Sequence, residues 1–196
     1  MTDKHPEAYK LFKNIEKFSC TKTAENIAFG MDFPACASKQ QCAEWVKYIS
    51  SGLEENFDEP TIKKIRQSCY CRDGGNLEEN KRGLKEIYAD SKNIYDFVEK
   101  VNKYVEKISG QNAGWYIQNG YLFTKYFDCS CPMLDSIEIL PTKTWCHCTA
   151  GLCKEIFDAV FSFEVDAEII ESLKMGDKHC LIKISNKDGS PLIRKN

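Results

Sequence analysis

Three pairs of cysteines, each pair separated by a single residue, are the side chains of this sequence best suited to chemistry. They are Cys69/Cys71, Cys129/Cys131 and Cys146/Cys148. Side chains two residues apart point to the same side of an extended backbone, so each pair would present two sulfurs on one face. Four thiolates held in this way suit a borderline cation such as zinc. We therefore expect a metal site formed by Cys129, Cys131, Cys146 and Cys148.

Two other interpretations of these cysteines stay open. Cys148 directly precedes a predicted helix, and the amides at a helix start stabilise a thiolate, which would favour a reactive nucleophile. Alternatively, the cysteines are small buried hydrophobes. Cys69 and Cys71 would join the same metal site, form a reversible redox pair, or simply lie in a surface loop. Zinc is the expected cofactor, because the usual cysteine spacings of an iron–sulfur cluster are missing.

The composition and charge of the chain argue against a nucleic-acid-binding protein and against a membrane-spanning one. The chain has 196 residues and a net charge of -2 with both signs interspersed, which argues against a nucleic-acid surface. No stretch approaches the roughly 20 apolar residues of a membrane span. The odd total of 11 cysteines and the lack of a secretory leader or glycosylation sequon favour a reducing, cytoplasmic location. The composition is compatible with a monomer or with a homo-oligomer.

The first 110 residues have helical periodicity. Ser38 and Gln41 form a predicted capping box, and Glu59-Pro60 starts a short helix. Ser91 is the predicted cap of a helix whose apolar stripe ends at Gly110.

The period then changes to that of strands. Asn119-Gly120 separates two alternating segments and is a strong hairpin signature. We expect a further short strand at 137–140, Cys146–Cys148 before a helix capped by Thr149, and a second hairpin from Val165 to Ile184. The predicted fold is α+β: an N-terminal helical half (1–110) packed on a small antiparallel sheet built from two hairpins with an intervening helix (111–196), together one compact domain.

Aromatic side chains are dense around the first predicted hairpin. One face of a hairpin must pack on the helices, and the other is available to line a pocket for a small ligand. The predicted pocket residues are Trp115, Tyr121, Phe123 and Trp145, with ordinary core packing as the alternative. His147 lies between two cysteines and is expected to point away from them.

The closing stretch carries a family resemblance. Gly176-Asp177, then Cys180, then the apolar strand Leu181 to Ile184 resembles the C-terminal hairpin of 4-vinyl reductase-like ligand-binding domains. The 2-amino-thiazoline-4-carboxylate hydrolase-like proteins have a similar ending. Together with the preceding hairpin–helix order, the resemblance spans about 80 residues. Ser172 and Leu173 stand before the turn, where the resembled zinc sites carry a cysteine.

The resemblance implies an α+β fold with a small-molecule pocket between sheet and helices. It also implies a cysteine-rich zinc site in which Cys180 is a ligand. We therefore expect a small-molecule-binding protein with a thiolate zinc site. The alternatives are a hydrolase of small amide or thiazoline-like substrates, using metal-bound water or a Cys nucleophile, and a thiol–disulfide redox protein. Whether the protein is an enzyme stays open.

Overall fold

The computed structural model describes residues 4–70 and 77–193, and its elements follow the predicted order of helices, hairpin, helix and hairpin. The helical part comprises α1 (Pro6–Ile15), α2 (Thr21–Phe29), α3 (Lys39–Asn56), α4 (Glu59–Gln67), α5 (Leu77–Ala89) and α6 (Ile94–Ser109). The remainder comprises β1 (Tyr116–Gln118), β2 (Tyr121–Tyr126), α7 (His147–Phe161), β3 (Val165–Glu171) and β4 (Cys180–Asn186). Short 3-10 helices occupy Pro132–Leu134 and Leu173–Met175. The predicted α+β fold is confirmed.

Side-chain caps define where several helices begin. The capping box at Ser38 and Gln41 is present, with both reciprocal hydrogen bonds. The predicted cap Ser91 is wrong by two residues. Asn93 caps α6 because its side-chain oxygen accepts from the amides of Tyr95 and Asp96, whereas the Ser91 hydroxyl donates to the carbonyl of Ile87 in the preceding helix.

All four strands are antiparallel, in the order β1-β2-β4-β3. The first hairpin turns at Asn119 and Gly120, whose φ angles of 53° and 79° are those of a two-residue turn that matches the strand twist. Strands β2 and β4, which come from different hairpins, pair at the centre of the sheet. The two hairpins therefore form one sheet.

One face of this sheet is buried and the other is not. Along β2, Leu122 and Thr124 are buried, while Tyr121, Phe123 and Lys125 alternate with them on the opposite face. Helix α7 contacts β3 and β4, and it also contacts α4 and α5. It therefore lies between the sheet and the N-terminal helices, and buried residues of both halves belong to one hydrophobic cluster.

A glycine brings α7 close to the end of α4. A Cβ built at Gly151 would lie 2.6 Å from the carbonyl carbon of Gln67, closer than real Cβ contacts. The two backbones therefore approach each other to a distance that only glycine permits. This approach fixes the last turn of α4 against the first turns of α7.

Two local predictions differ from the structure. No strand forms at 137–140, because the Lys174 ammonium group hydrogen-bonds to the carbonyls of Leu134 and Ile137 and the Leu140 amide donates to the Lys174 carbonyl. These bonds hold the segment as an irregular connection. Helix α7 begins at His147 with Cys146 as its N-cap, instead of at Thr149. Among the described helices, none has both the length and the apolar character needed to cross a membrane.

Replacing Gly151 with alanine should destabilise the protein, because the added methyl group meets the backbone of Gln67, which cannot rotate away. We expect the free energy of unfolding to fall by about 1–3 kcal/mol, measured by urea denaturation. Gly83→Ala is the matched control, since Gly83 is also helical and a Cβ there meets nothing within 4 Å. That variant should gain about 0.5–1 kcal/mol. Equal effects of the two substitutions would contradict the close approach.

Candidate functional site

Five cysteine side chains line one small, largely enclosed cavity in the C-terminal half. They are Cys129, Cys131, Cys146, Cys148 and Cys180. The cavity volume is ≈ 30 Å³, which is enough for one water molecule or one ion and too small for an organic molecule. The four cysteines predicted from the sequence therefore come together, and Cys180 joins them. We call this space the cysteine cavity.

Three separate segments deliver these cysteines. The loop after β2 carries Cys129 and Cys131, and Cys131 directly precedes the 3-10 helix that starts at Pro132. The start of α7 carries Cys146 and Cys148. Cys180 is the first residue of β4 and pairs with Tyr126 of β2. Apolar side chains, including Trp145 and Ile182, complete the wall. Residues distant in sequence thus meet because α7 packs on the buried face of the sheet.

Cys146 and Cys148 do not lie on the extended strand that their spacing predicted. Cys146 is the helix cap and Cys148 lies in the first turn, so a helix start presents both sulfurs. His147, between them, is also buried and lines a different, larger cleft.

Hydrogen-bond donors face two of the sulfurs. The Ser172 hydroxyl donates to Cys146 Sγ at 3.7 Å, and the Leu173 amide donates to Cys180 Sγ at 3.5 Å. Such donors stabilise a sulfur that carries negative charge. Ser172 and Leu173 thus each donate a hydrogen bond to one cavity sulfur.

Burial favours the protonated form of the Cys146 and Cys180 thiols. Burial raises the pKa of Cys146 to about 12, the neighbouring Cys148, Cys180 and Cys129 add to this effect, and the Ser172 hydrogen bond opposes it. Burial also raises the pKa of Cys180. A thiol with a raised pKa is a poor nucleophile at neutral pH. The reactive-nucleophile interpretation therefore gains no support at Cys146 or Cys180.

A buried guanidinium group lies beside the cysteines. Arg66, on α4, is 2 % exposed; its Nη2 donates to the Trp145 carbonyl at 3.1 Å, and its guanidinium carbon lies 3.8 Å from the centre of the Trp145 ring. Burial alone would lower the pKa of Arg66, but the combined influence of Cys148, Cys69, Glu7 and Cys131 raises it. Within residues 4–70 and 77–193, no carboxylate forms an ion pair with Arg66.

The sulfurs line the cysteine cavity without converging on one point. In the part of the chain that the structure describes, no group of three or more Cys, His, Asp or Glu side chains is arranged to hold a metal ion. The five cysteines are thus neighbours around a small space, and metal binding would require their side chains to turn toward a common centre.

The remaining cysteines have other environments. Cys69 is buried at the end of α4 and accepts a hydrogen bond from Asn14 Nδ2 at 3.5 Å, outside the cysteine cavity. Its predicted partner Cys71 lies outside the described residues. The apolar-face pattern predicts core packing for Cys20, Cys42, Cys153 and Cys180. Cys42 and Cys153 are buried, whereas the prediction is wrong for Cys20, which is exposed, as Cys36 is.

Of the four predicted pocket aromatics, only Trp145 lines the cysteine cavity. Trp115 packs against Phe97 and Phe157 in the core. Tyr121 and Phe123 lie on the outer face of the sheet. Tyr121 and Phe123 do not reach the cysteine cavity because side chains alternate along a strand, and residues 121 and 123 occupy the face opposite to the buried Leu122 and Thr124.

Two residues of the site escaped the sequence analysis. Arg66 lies on the same face of α4 as Ile62 and Ile65, but the helical spacing alone does not predict burial of a charged residue, which depends on the packing of α7. Ser172 entered only as a departure from the resembled pattern. The available signal was a lone arginine in a helix whose other basic residues are all lysine.

The thiols should fall into reactivity classes that follow burial. We expect brief treatment with iodoacetamide at pH 7.5 to modify Cys20 and Cys36, whereas Cys146 should stay unmodified until the protein unfolds. A pKa of about 12 leaves a thiolate fraction about a thousandfold lower than that of an ordinary cysteine. Peptide mass spectrometry identifies the modified residues, and Cys20→Ser/Cys36→Ser removes the two fast sites as a control. Rapid modification of Cys146 would contradict the buried cavity.

Comparison with known proteins gives one family match. The sequence model of the Family of unknown function (DUF6144) matches residues 3–190. No curated protein matches the chain. A solved structure to which the chain is similar is that of trafficking protein particle complex subunit 3 from Naegleria fowleri, covalently bound to palmitic acid. It shares 14% identity and a TM-score of 0.45, over 80% of this chain and 97% of that one, and this likeness carries no functional argument. Because the family match spans nearly the whole sequence, the chain belongs to the Family of unknown function (DUF6144).

Proposed function

We propose that this protein is a small-molecule-binding protein built around a cysteine-thiolate metal centre, with zinc as the bound ion. The observation that carries the proposal is the meeting of five cysteines from three segments around one ion-sized cavity. Thiolates are preferred ligands of zinc, and a cavity of ≈ 30 Å³ accepts an ion while excluding larger ligands.

Electrostatics supports a bound cation. Burial and mutual repulsion hold the Cys146 and Cys180 thiols in their protonated form, and a metal ion relieves both effects by displacing the protons. Four thiolates around a divalent ion leave a net negative charge. The buried guanidinium group of Arg66, beside Cys148, would offset this charge.

Only small movements of side chains and of one loop would be needed to bring four sulfurs around one ion. Each cysteine side chain has a single rotatable bond before its sulfur, and Cys129 and Cys131 lie in a partly exposed loop. On metal binding, this loop would move toward the start of α7. Five cysteines are available for the four positions of a tetrahedral zinc ion, so the four predicted from the sequence suffice and Cys180 is an alternative ligand.

The cavity favours a structural role for the ion over a catalytic one. A hydrolytic zinc keeps one position open for water and needs space for substrate beside it. The cysteine cavity, at ≈ 30 Å³, has no such space. Small molecules would therefore bind elsewhere on the protein. We place the protein in the cytoplasm, since none of the ten described cysteines forms a disulfide and a reducing compartment keeps thiols available for metal.

Removing the α7 thiols should abolish metal binding. Protein purified without added metal should contain about one zinc ion per chain by inductively coupled plasma mass spectrometry. Cys146→Ser/Cys148→Ser should contain none, because only three of the five cavity cysteines remain and they are too few to close a tetrahedral thiolate site. Cys153→Ala is the matched control, because Cys153 is buried on the same helix and does not line the cavity. That variant should keep its zinc.

Three outcomes would overturn the metal centre. One is full zinc occupancy in Cys146→Ser/Cys148→Ser, and another is absence of any metal from the wild-type protein even after reconstitution under reducing conditions. The third is paired loss of these thiols under mild oxidant with zinc present, which would favour the redox alternative.

Removing the buried cation should weaken zinc binding without removing a ligand. We expect Arg66→Met to lower zinc affinity by about 10–100-fold in a chelator competition assay, because groups that support the ligands typically contribute that much. Lys64→Met is the control, since Lys64 is an exposed cation on the same helix. Equal affinities of the two variants would show that Arg66 serves packing alone. Circular dichroism should confirm that both variants fold.

A further inference from the structure

A second, larger space adjoins the cysteine cavity and shares two of its wall residues, Ile169 and Ser172. Its volume is ≈ 630 Å³, within the range of small-molecule sites, and it opens to solvent. His147 lines it, so we call it the His147 cleft. The start of α7 therefore separates an ion-sized cavity from a cleft of ligand size.

A carboxylate on α3 is oriented at one side of the cleft. Both the Thr142 and Thr144 hydroxyls donate to Oε1 of Glu54, at 2.5 Å and 2.6 Å. Among the described residues, the other oxygen, Oε2, has no hydrogen-bond partner. Two hydroxyls from one loop thus hold the carboxylate in place and leave one oxygen available to a ligand.

A buried imidazole with an unused nitrogen lines the same cleft. His147 is 5 % exposed, and its Nδ1 has no hydrogen-bond partner within the described part of the chain. Buried polar atoms in folded proteins are normally paired, and leaving one unpaired costs free energy. The imidazole of His147 therefore forms part of the cleft wall, although its unpaired Nδ1 is itself covered and a ligand would reach that atom only after a small rotation of the ring.

The cleft combines an excess of negative charge with an apolar wall. Besides Glu54, two carboxylates line it, Glu59 and Asp177, against a single ammonium group, that of Lys143. The apolar lining consists of Phe57, Ile62, Ile169, Ile170 and Met175. This combination suits a molecule with a cationic head and a short hydrocarbon body.

We propose that the His147 cleft binds a small amphipathic amine, with its ammonium group on Glu54 Oε2, its polar substituents near His147 and its hydrocarbon part against Phe57 and Ile62. This inference rests on the proposed small-molecule-binding function. It specifies where on the protein the small molecule binds and to which chemical class it belongs. It needs no metal ion in the cysteine cavity.

Titration with n-butylammonium, followed by ¹H–¹⁵N correlation NMR, tests the proposal. The amine should shift the resonances of residues around the cleft in a saturable manner, whereas n-butyrate, of the same length and opposite charge, should not. Glu54→Gln keeps the shape and the Oε1 hydrogen bonds but removes the charge, and it should bind the amine about tenfold more weakly. Glu55→Gln, its exposed neighbour outside the cleft, is the matched control and should bind as the wild type does.

The apolar wall gives a second readout. Affinity should rise from ethylammonium to n-hexylammonium by up to about fourfold per added methylene, because the chain is buried against the wall. Equal affinity for butylammonium and butyrate, equal weakening in Glu54→Gln and Glu55→Gln, or no dependence on chain length would each overturn the proposal. Zinc content measured on the same samples separates the two ideas: amine binding without zinc contradicts the metal centre alone, and zinc without amine binding contradicts the cleft alone.

Discussion

The close approach of α4 and α7 at Gly151 is the constraint on which the rest of the structure depends. It places the end of α4 against the first turns of α7, so the Arg66 guanidinium lies on the Trp145 ring and beside Cys148. The other side of α7 rests on the sheet, whose inner face brings Cys180 to the same cavity. A helix clamped on both sides can deliver residues in fixed positions to two neighbouring spaces.

The chemistry around α7 is governed by desolvation. Burial favours the protonated form of the Cys146 and Cys180 thiols, and the Arg66 guanidinium group is buried without an ion-paired carboxylate among the described residues. The buried guanidinium charge is unfavourable alone, and it would be compensated if negative charge developed on the sulfurs. The raised pKa values of Cys146 and Cys180 therefore disfavour nucleophilic thiol chemistry at these two residues.

Sequence reasoning succeeded where a signal is local. The capping box at Ser38 and the Asn119-Gly120 turn follow from hydrogen bonds and backbone angles within a few residues. The position of Cys129 just after the first hairpin also follows from local signals, and Cys129 lines one cavity with Cys146. Sequence reasoning failed where tertiary contacts decide: α7 begins at His147 because its first turn is buried between sheet and helices, although Thr149 is the better intrinsic cap.

The burial of Arg66 and the alignment of Ser172 with Cys146 likewise depend on neighbours far away in sequence. The aromatic pocket prediction shows the same limit. Alternation along β2 separates Phe123 from the buried face, but it does not say which face will be covered.

The three consecutive residues at the start of α7 have a thermodynamic consequence. Cys146 and Cys148 line the cavity while His147 lines the cleft, so a displacement of this single turn changes both spaces together. If each space holds its own ligand, the two occupancies are linked. Such linkage is reciprocal. If an ion in the cavity changes the affinity of the cleft for its ligand by some factor, the cleft ligand changes the affinity of the cavity for the ion by the same factor.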